Sequence, residues 1–285
     1  MLQNRFREIL HENYKDFLKI YTDGSKDETG VGCALIIPQL NVTKRFTLNK
    51  YSSIFHAELF SILQSLKNAK LLNIKKVLII SDSLSSFQAI SNLYHPNPLV
   101  KEIQETYSSS QISIKFLWCP SHVGISGNDQ ADTEAKKATS EPVTNHSLLL
   151  EEMKSLAKKH FYQKWNTTWS NVNPNENKLR RIKSTTTPWK TSSQKARLDE
   201  VCLMRMRIGH TKITHSYLFK REERPICDSC HEPVTVEHII LHCNKLRFRP
   251  PSFLGNSLAN ILSDNPDSIS SLMRFLKQNN FLKHM

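Results

Sequence analysis

Residues 20–32 read IYTDGSKDETGVG. A β-prone run meets an aspartate, glycines follow, and a second apolar run, VGCALII, begins at residue 31. Asp23-Gly24 is a turn dipeptide by ordinary backbone chemistry. The other reading is that Asp23 closes a strand inside a sheet because something there needs its charge. The flanking sequence frames the choice. Residues 17–23 (FLKIYTD) and 31–37 are apolar and β-prone, and residues 42–48 (VTKRFTL) alternate as an exposed strand does. Three strands with short connections predict an antiparallel meander. From Ser53, a suitable N-cap, the spacing of Ile54, Ala57, Leu59, Ile62, Leu63 and Leu66 predicts a helix to about Leu71. Residues 77–81 (VLIIS) form a continuous apolar run, as in a strand buried on both faces. Helices are expected from residue 83 or 84 to 93 and over 98–107, a fifth strand over 112–118, and a last helix over 128–138. The order β-β-β-α-β-α-α-β-α predicts a five-stranded mixed sheet, three antiparallel strands and then parallel ones, with helices on both faces.

In this order the acidic residues gain meaning. Asp23 ends the first strand and Asp82 the fourth. If those strands are parallel neighbours, both carboxylates emerge at one end of the sheet, where ligand sites in α/β sheets gather. Glu58 lies in HAEL on the first helix among core-facing residues, where a carboxylate is costly unless it is paired or binds a cation. Asp132 lies on the last helix beside Ala131 and Ala135, which allow close packing. Each alone reads more simply as a turn residue, a helix cap or solvated surface. Four together would repel one another strongly without cations, and an all-oxygen set suits Mg²⁺ or Mn²⁺.

YTDGS (21–25), HAEL (56–59), SDS (81–83) and PSHVGISGNDQAD (120–132) together resemble the type 1 ribonuclease H family. The resemblance covers roughly residues 16–139. It implies a ribonuclease H-like fold and an endonuclease that hydrolyses the RNA strand of RNA–DNA hybrids with two Mg²⁺ (or Mn²⁺) ions, leaving 5′-phosphates. The family's metal set falls on Asp23, Glu58, Asp82 and Asp132, and its loop histidine on His122. Asp129 competes for the fourth place but does not fit the family's spacing from the loop histidine. Gly24, Ser25, Ser83 and Asn128 are the expected substrate contacts. Discrimination of RNA from DNA should rest on the 2′-hydroxyl.

The second half has a different texture. Residues 148–165 are amphipathic, 166–194 read as a polar linker, 198–221 as a basic helical segment, and the end as a weakly structured tail. Between them, CDSCHEPVTVEHIILHC (227–243) places Cys227, Cys230, His238 and Cys243 at C-x2-C-x7-H-x4-C. Three thiolates and an imidazole suit a closed, structural Zn²⁺ site, with His231 and His242 as competing nitrogen ligands. Together with LMRMRIGHTKITHSYLFKR (203–221), this segment resembles the end of polyproteins of Jockey- and I-element-like non-LTR retrotransposons. No YxDD-type polymerase motif occurs, and no reverse transcriptase precedes Asp23. The chain is therefore expected to be a fragment of such an element or a host gene derived from one. The expected organisation is an N-terminal extension (1–15), a ribonuclease H domain (16–140), a basic helical and linker region (141–224), a zinc knuckle (225–245) and a C-terminal tail (246–285).

Composition limits the partners. The 285 residues carry a net charge of +13 with pI near 9.5, which favours an anionic partner, nucleic acid first. Residues 141–285 hold 23 basic against 13 acidic side chains, and residues 1–140 hold 16 against 13. The N-terminus has no apolar core of a signal peptide, and no run is long enough to span a membrane. A monomeric nuclear or cytoplasmic protein, not secreted, is expected. A catalytically idle nucleic-acid-binding remnant is the rival reading.

Overall fold

The computed structural model describes residues 2–72, 74–245 and 257–282. The chain divides into two compact units, Met1–Ala157 and Lys158–Met285.

In the first unit, helix α1 (Leu2–Asn13) precedes strands β1 (Leu18–Lys26), β2 (Val31–Ile37) and β3 (Val42–Leu48). Helix α2 (Ile54–Leu71), strand β4 (Lys76–Ser81), helices α3 (Leu84–Ser91) and α4 (Pro98–Ser108), strand β5 (Ser113–Trp118) and helix α5 (Ser126–Ala138) follow. The sheet order is β3-β2-β1-β4-β5. β1 pairs antiparallel with β2 and parallel with β4, and β4 pairs parallel with β5. This is the expected mixed sheet of a ribonuclease H-like fold.

Side-chain alternation builds a core on each face. Ile20, Leu35, Ile37, Val77 and Ile79 point to one side and pack with Leu59, Ile62, Leu63 and Leu66 of α2 and Val100 and Ile103 of α4. Tyr21, Ile36, Leu78 and Ile80 point to the other and pack with Phe6 of α1, Ile125 and Ala131. Residues 2–13 are therefore a packed helix, not a bare extension.

One expectation about β1 is corrected. Asp23 does not close the strand, which runs to Lys26, with Asp23 opposite Ala34 and Lys26 opposite Val31 on β2. The parallel pairing with β4 is what stops, at Thr22 opposite Ser81. Asp23 is the first residue at which β1 leaves β4, so an opening forms beside it while the backbone stays held on its other edge.

Helix α6 (Leu150–Ser170) follows the sheet domain. The second unit holds α7 (Lys178–Ile182), α8 (Arg197–Ile208), α9 (Lys212–Lys220), a π-helical turn at His238–His242, α10 (Leu258–Ile261) and α11 (Pro266–Gln278). One core joins Cys202, Leu203 and Met206 of α8, Val236, Ile239 and Ile240 beside the cysteines, and Ile269, Leu272, Phe275 and Leu276 of α11. The stretch read as a weakly structured tail thus contains a buried amphipathic helix, begun by the Asn265 side chain accepting from the N–H groups of Asp267 and Ser268. The part of that tail over residues 246–256 lies outside the described residues.

Candidate active site and cysteine cluster

β1 and β4 deliver Asp23 and Asp82 to the same end of the sheet, and α2 lays Glu58 between them. Oxygens of these three carboxylates lie within 4.8 Å of one another. The close approach depends on Gly24: a Cβ there would come within 2.8 Å of the Glu58 backbone nitrogen. Asp23 and Glu58 are buried, and Glu58 Oε2 has no hydrogen-bond partner. Burial, then the charges of Asp82 and Asp132, raises the Asp23 carboxyl to about 7. Burial, then Asp23 and Asp82, pushes Glu58 well above the usual carboxylate range.

The other expected residues fall around this centre. A cleft of about 480 Å³ is lined by Asp23, Gly24, Ser25, Glu58, Asp82, Ser83, His122, Asp132 and Lys136. Asp132 shares the cleft but stands outside the tight triad, its Oδ2 taken by Lys136 Nζ at 2.7 Å. His122 is exposed, on a left-handed backbone with φ of 55°. Asp129 lies in the first turn of α5 and lines a separate hollow with Arg7.

Asn128, expected as a substrate contact, is 2% exposed. Its Nδ2 donates to Asp82 Oδ2 at 3.2 Å, and its Oδ1 accepts from Cys119 Sγ at 3.3 Å. It orients a carboxylate from behind. The Trp118 indole donates to the Asp82 carbonyl at 2.9 Å, fixing the same residue through its backbone. Ser83 lies beside Asp82, its N–H held by Ser81 Oγ at 3.1 Å.

Sequence reasoning missed Glu152, in the first turn of α6. This buried carboxylate contacts His56 Nδ1 at 3.1 Å and accepts from the N–H groups of Ser53 at 2.5 Å and Leu149 at 2.9 Å. Burial pushes its carboxyl up, but these hydrogen bonds outweigh that and hold it down at about 2. It thereby pins the N-terminus of α2, the helix that carries Glu58. Its only mark in the sequence is an acidic residue opening a helix, which occurs at many helix N-termini.

In the second unit, ligand atoms of Cys227, Cys230, His238 and Cys243 also lie within 4.8 Å of one another. Cys227 Sγ and Cys243 Sγ are 3.8 Å apart. His238 is 4% exposed and neither ring nitrogen makes a hydrogen bond, although the Glu232 carboxylate lies 3.5 Å from Nδ1. The N–H of Ser229, then the His238 ring and the N–H of Cys230, lower the Cys227 thiol to about 6. His231 and His242, the competing ligands, lie outside the cluster.

Both groupings have the chemistry of metal sites: hard oxygens with an orphaned buried atom in one, soft sulfurs with an unpartnered buried imidazole in the other. A search of curated proteins gives no match to the chain. Residues 15–140 match the family model described as RNase H, and with the sheet order and the three carboxylates at its end they carry an RNase H domain.

Proposed function

We propose that this chain is an endonuclease that hydrolyses the RNA strand of RNA–DNA hybrids, leaving 5′-phosphate ends. The observation that carries the reading is the convergence of Asp23, Glu58 and Asp82 around a buried, unpartnered carboxylate oxygen, within a domain that matches RNase H. Asp23, Glu58 and Asp82, with Asp132 across the cleft, are the residues that would hold two Mg²⁺ or Mn²⁺ ions. The chemistry such ions supply when bound is activation of water and stabilisation of charge on the departing 3′ oxygen.

The chain's own residues do the rest. Asn128 and Trp118 hold Asp82 in place, and Glu152 holds α2. Lys136 ion-pairs with Asp132 and would release it to a cation bound there. His122, exposed on the cleft rim, would move a proton or help the product leave. Gly24, Ser25 and Ser83 line the floor where the RNA strand would lie.

In the second unit the Cys227, Cys230, His238 and Cys243 set would hold a structural Zn²⁺. The segment around it supports descent from a non-LTR retrotransposon protein. Cleavage of an end-labelled hybrid in Mg²⁺, wild type against Asp23→Asn, tests the nuclease. RNA-strand cleavage is expected from the wild type and none from the variant. Near wild-type cleavage by Asp23→Asn would remove the metal-site assignment.

A further inference from the structure

The loop that carries His122, residues 120–124, runs between two buried ends. At one end Cys119 donates its N–H to the Ser81 carbonyl at 3.1 Å, next to Asp82. At the other the Ile125 carbonyl accepts from the N–H groups of Asn128 and Asp129, each at 2.9 Å, as α5 begins. Phe6 of α1 belongs to the same core as Cys119 and Ile125, with the half-buried Val123 of the loop packed against it.

Between those ends the loop is held once more. Gln3, in the first turn of α1, donates its Nε2 to the Gly124 carbonyl. Among the described residues this is the one hydrogen bond that joins residues 120–124 to another element. Gly124 suits the contact. Its φ of +82° lies where side chains other than glycine are rare, and a Cβ there would come within 3.2 Å of Gln3 Nε2.

The two sides of the loop face different places. Ser121 and His122 line the carboxylate cleft, while Gly124 lines the hollow shared with Gln3 and Arg7. His122 itself has φ of 55°. A non-glycine residue keeps such a backbone only where its surroundings over-determine it. The His122 side chain is exposed, so that restraint comes from the loop's anchors, and α1 supplies two of them. The match to the RNase H model begins at residue 15, after α1 ends at Asn13.

We propose that α1 is a positioning element of the nuclease, in which Gln3 and Phe6 brace the 120–124 loop and so hold His122 toward the carboxylate cleft. This rests on the nuclease reading above and on the role given there to His122. The test is single-turnover cleavage of a labelled RNA–DNA hybrid in Mg²⁺ by the full chain. Wild type is compared with Gln3→Glu, each also carrying His122→Ala. Glutamate keeps the shape of glutamine but sets a carboxylate against the Gly124 carbonyl. In the first turn of a helix it is favoured by the dipole, so it does not loosen α1.

Gln3→Glu should slow cleavage about two- to tenfold, the scale of one lost hydrogen bond, with the melting temperature unchanged. In the His122→Ala chain the same substitution should change nothing, because the group it positions is gone. Equal slowing in both backgrounds, which would mark a merely structural role, or no slowing in either, overturns the brace. Gln3→Glu should also move the His122 ring proton resonances, assigned by their loss in His122→Ala, and unmoved resonances overturn it as well. A wild-type chain that folds but never cuts overturns the nuclease reading. The His122 resonances then decide the brace alone: moved by Gln3→Glu they uphold it, unmoved they overturn it.

Discussion

Asp23 is a carboxylate held in a continuing strand, so its burial is imposed by β2 and α2 and is not relieved by a turn. Its pKa rises from 3.8 to about 7 on folding. A carboxyl raised in this way leaves the folded state holding more protons than the unfolded chain between those values. Stability therefore falls as pH climbs from about 3.8 to about 7 and stays lower above. Without divalent cations, the melting temperature of the first unit is expected to drop across that window, and Mg²⁺ should restore it at pH 8. Asp23→Asn should flatten the drop, with metal-free stability at pH 8 equal to or above wild type; melts at pH 5 and 8 with and without Mg²⁺ measure this. His122 belongs to a different class of contribution. It is exposed on the cleft rim, away from both cores of the first unit, so His122→Ala should leave melting unchanged. Cleavage should slow by the ~10²–10⁴-fold usual for general acid–base help. Complete loss, equal to that of Asp23→Asn, would contradict a supporting role.

At the level of elements, α2 and α6 act on each other from positions far apart in the chain. The family match ends at residue 140, but the packing does not. Thr144 donates to and accepts from the backbone of Thr47, residue 145 bridges to Leu48, and Glu152 holds Ser53 and His56. A chain ending at residue 140 should therefore melt lower and cleave less than one ending at 157. Glu152→Gln keeps the shape but gives up the charge, and should weaken both. Hydrogen bonds to a charged partner contribute roughly 1.5–3 kcal/mol each at most, less where partners rearrange, so a loss of a few kcal/mol is expected. The depressed Glu152 carboxyl stabilises the fold above its unfolded value of 4.5, and that contribution is lost as pH falls toward about 2. Equal melting temperatures and rates for the chains ending at 140 and 157 would show that the clamp is idle.

For the whole molecule, the two units rest on different kinds of cohesion. The first has hydrophobic cores on both faces of a sheet. The second has a core into which the cysteine cluster inserts Val236, Ile239 and Ile240 between α8 and α11. If the cysteine cluster holds zinc as proposed, its removal should unfold more than the cysteine loop, because a closed thiolate site contributes folding free energy directly and its neighbours share this core. Chelation or Cys227→Ser should abolish the cooperative melt of the second unit and leave that of the first. Calorimetry with zinc quantified alongside checks it, and a full-length protein purified without zinc and still folded would contradict it. Among the described residues no helix is long and apolar enough to cross a membrane.

What was legible in the sequence was whatever depends on local pattern. Apolar β-prone runs, one alternating strand and helical spacings marked β1 to β5 and α2 to α6, and the cysteine spacing marked the four residues that gather in space. Ser53 was readable as the cap of α2 because capping is a short-range hydrogen bond, here from the His56 N–H. The residues decided only by tertiary structure depend on partners far along the chain. Asp23 looked like a strand end because sequence does not show that β1 parts from β4 while keeping β2. Asn128 was expected to touch substrate, but it is buried against Asp82 and Cys119. Glu152 carries no local mark that separates it from an ordinary surface charge. A buried charge or an uncompensated one is defined by its whole surroundings, and only the folded chain assembles those.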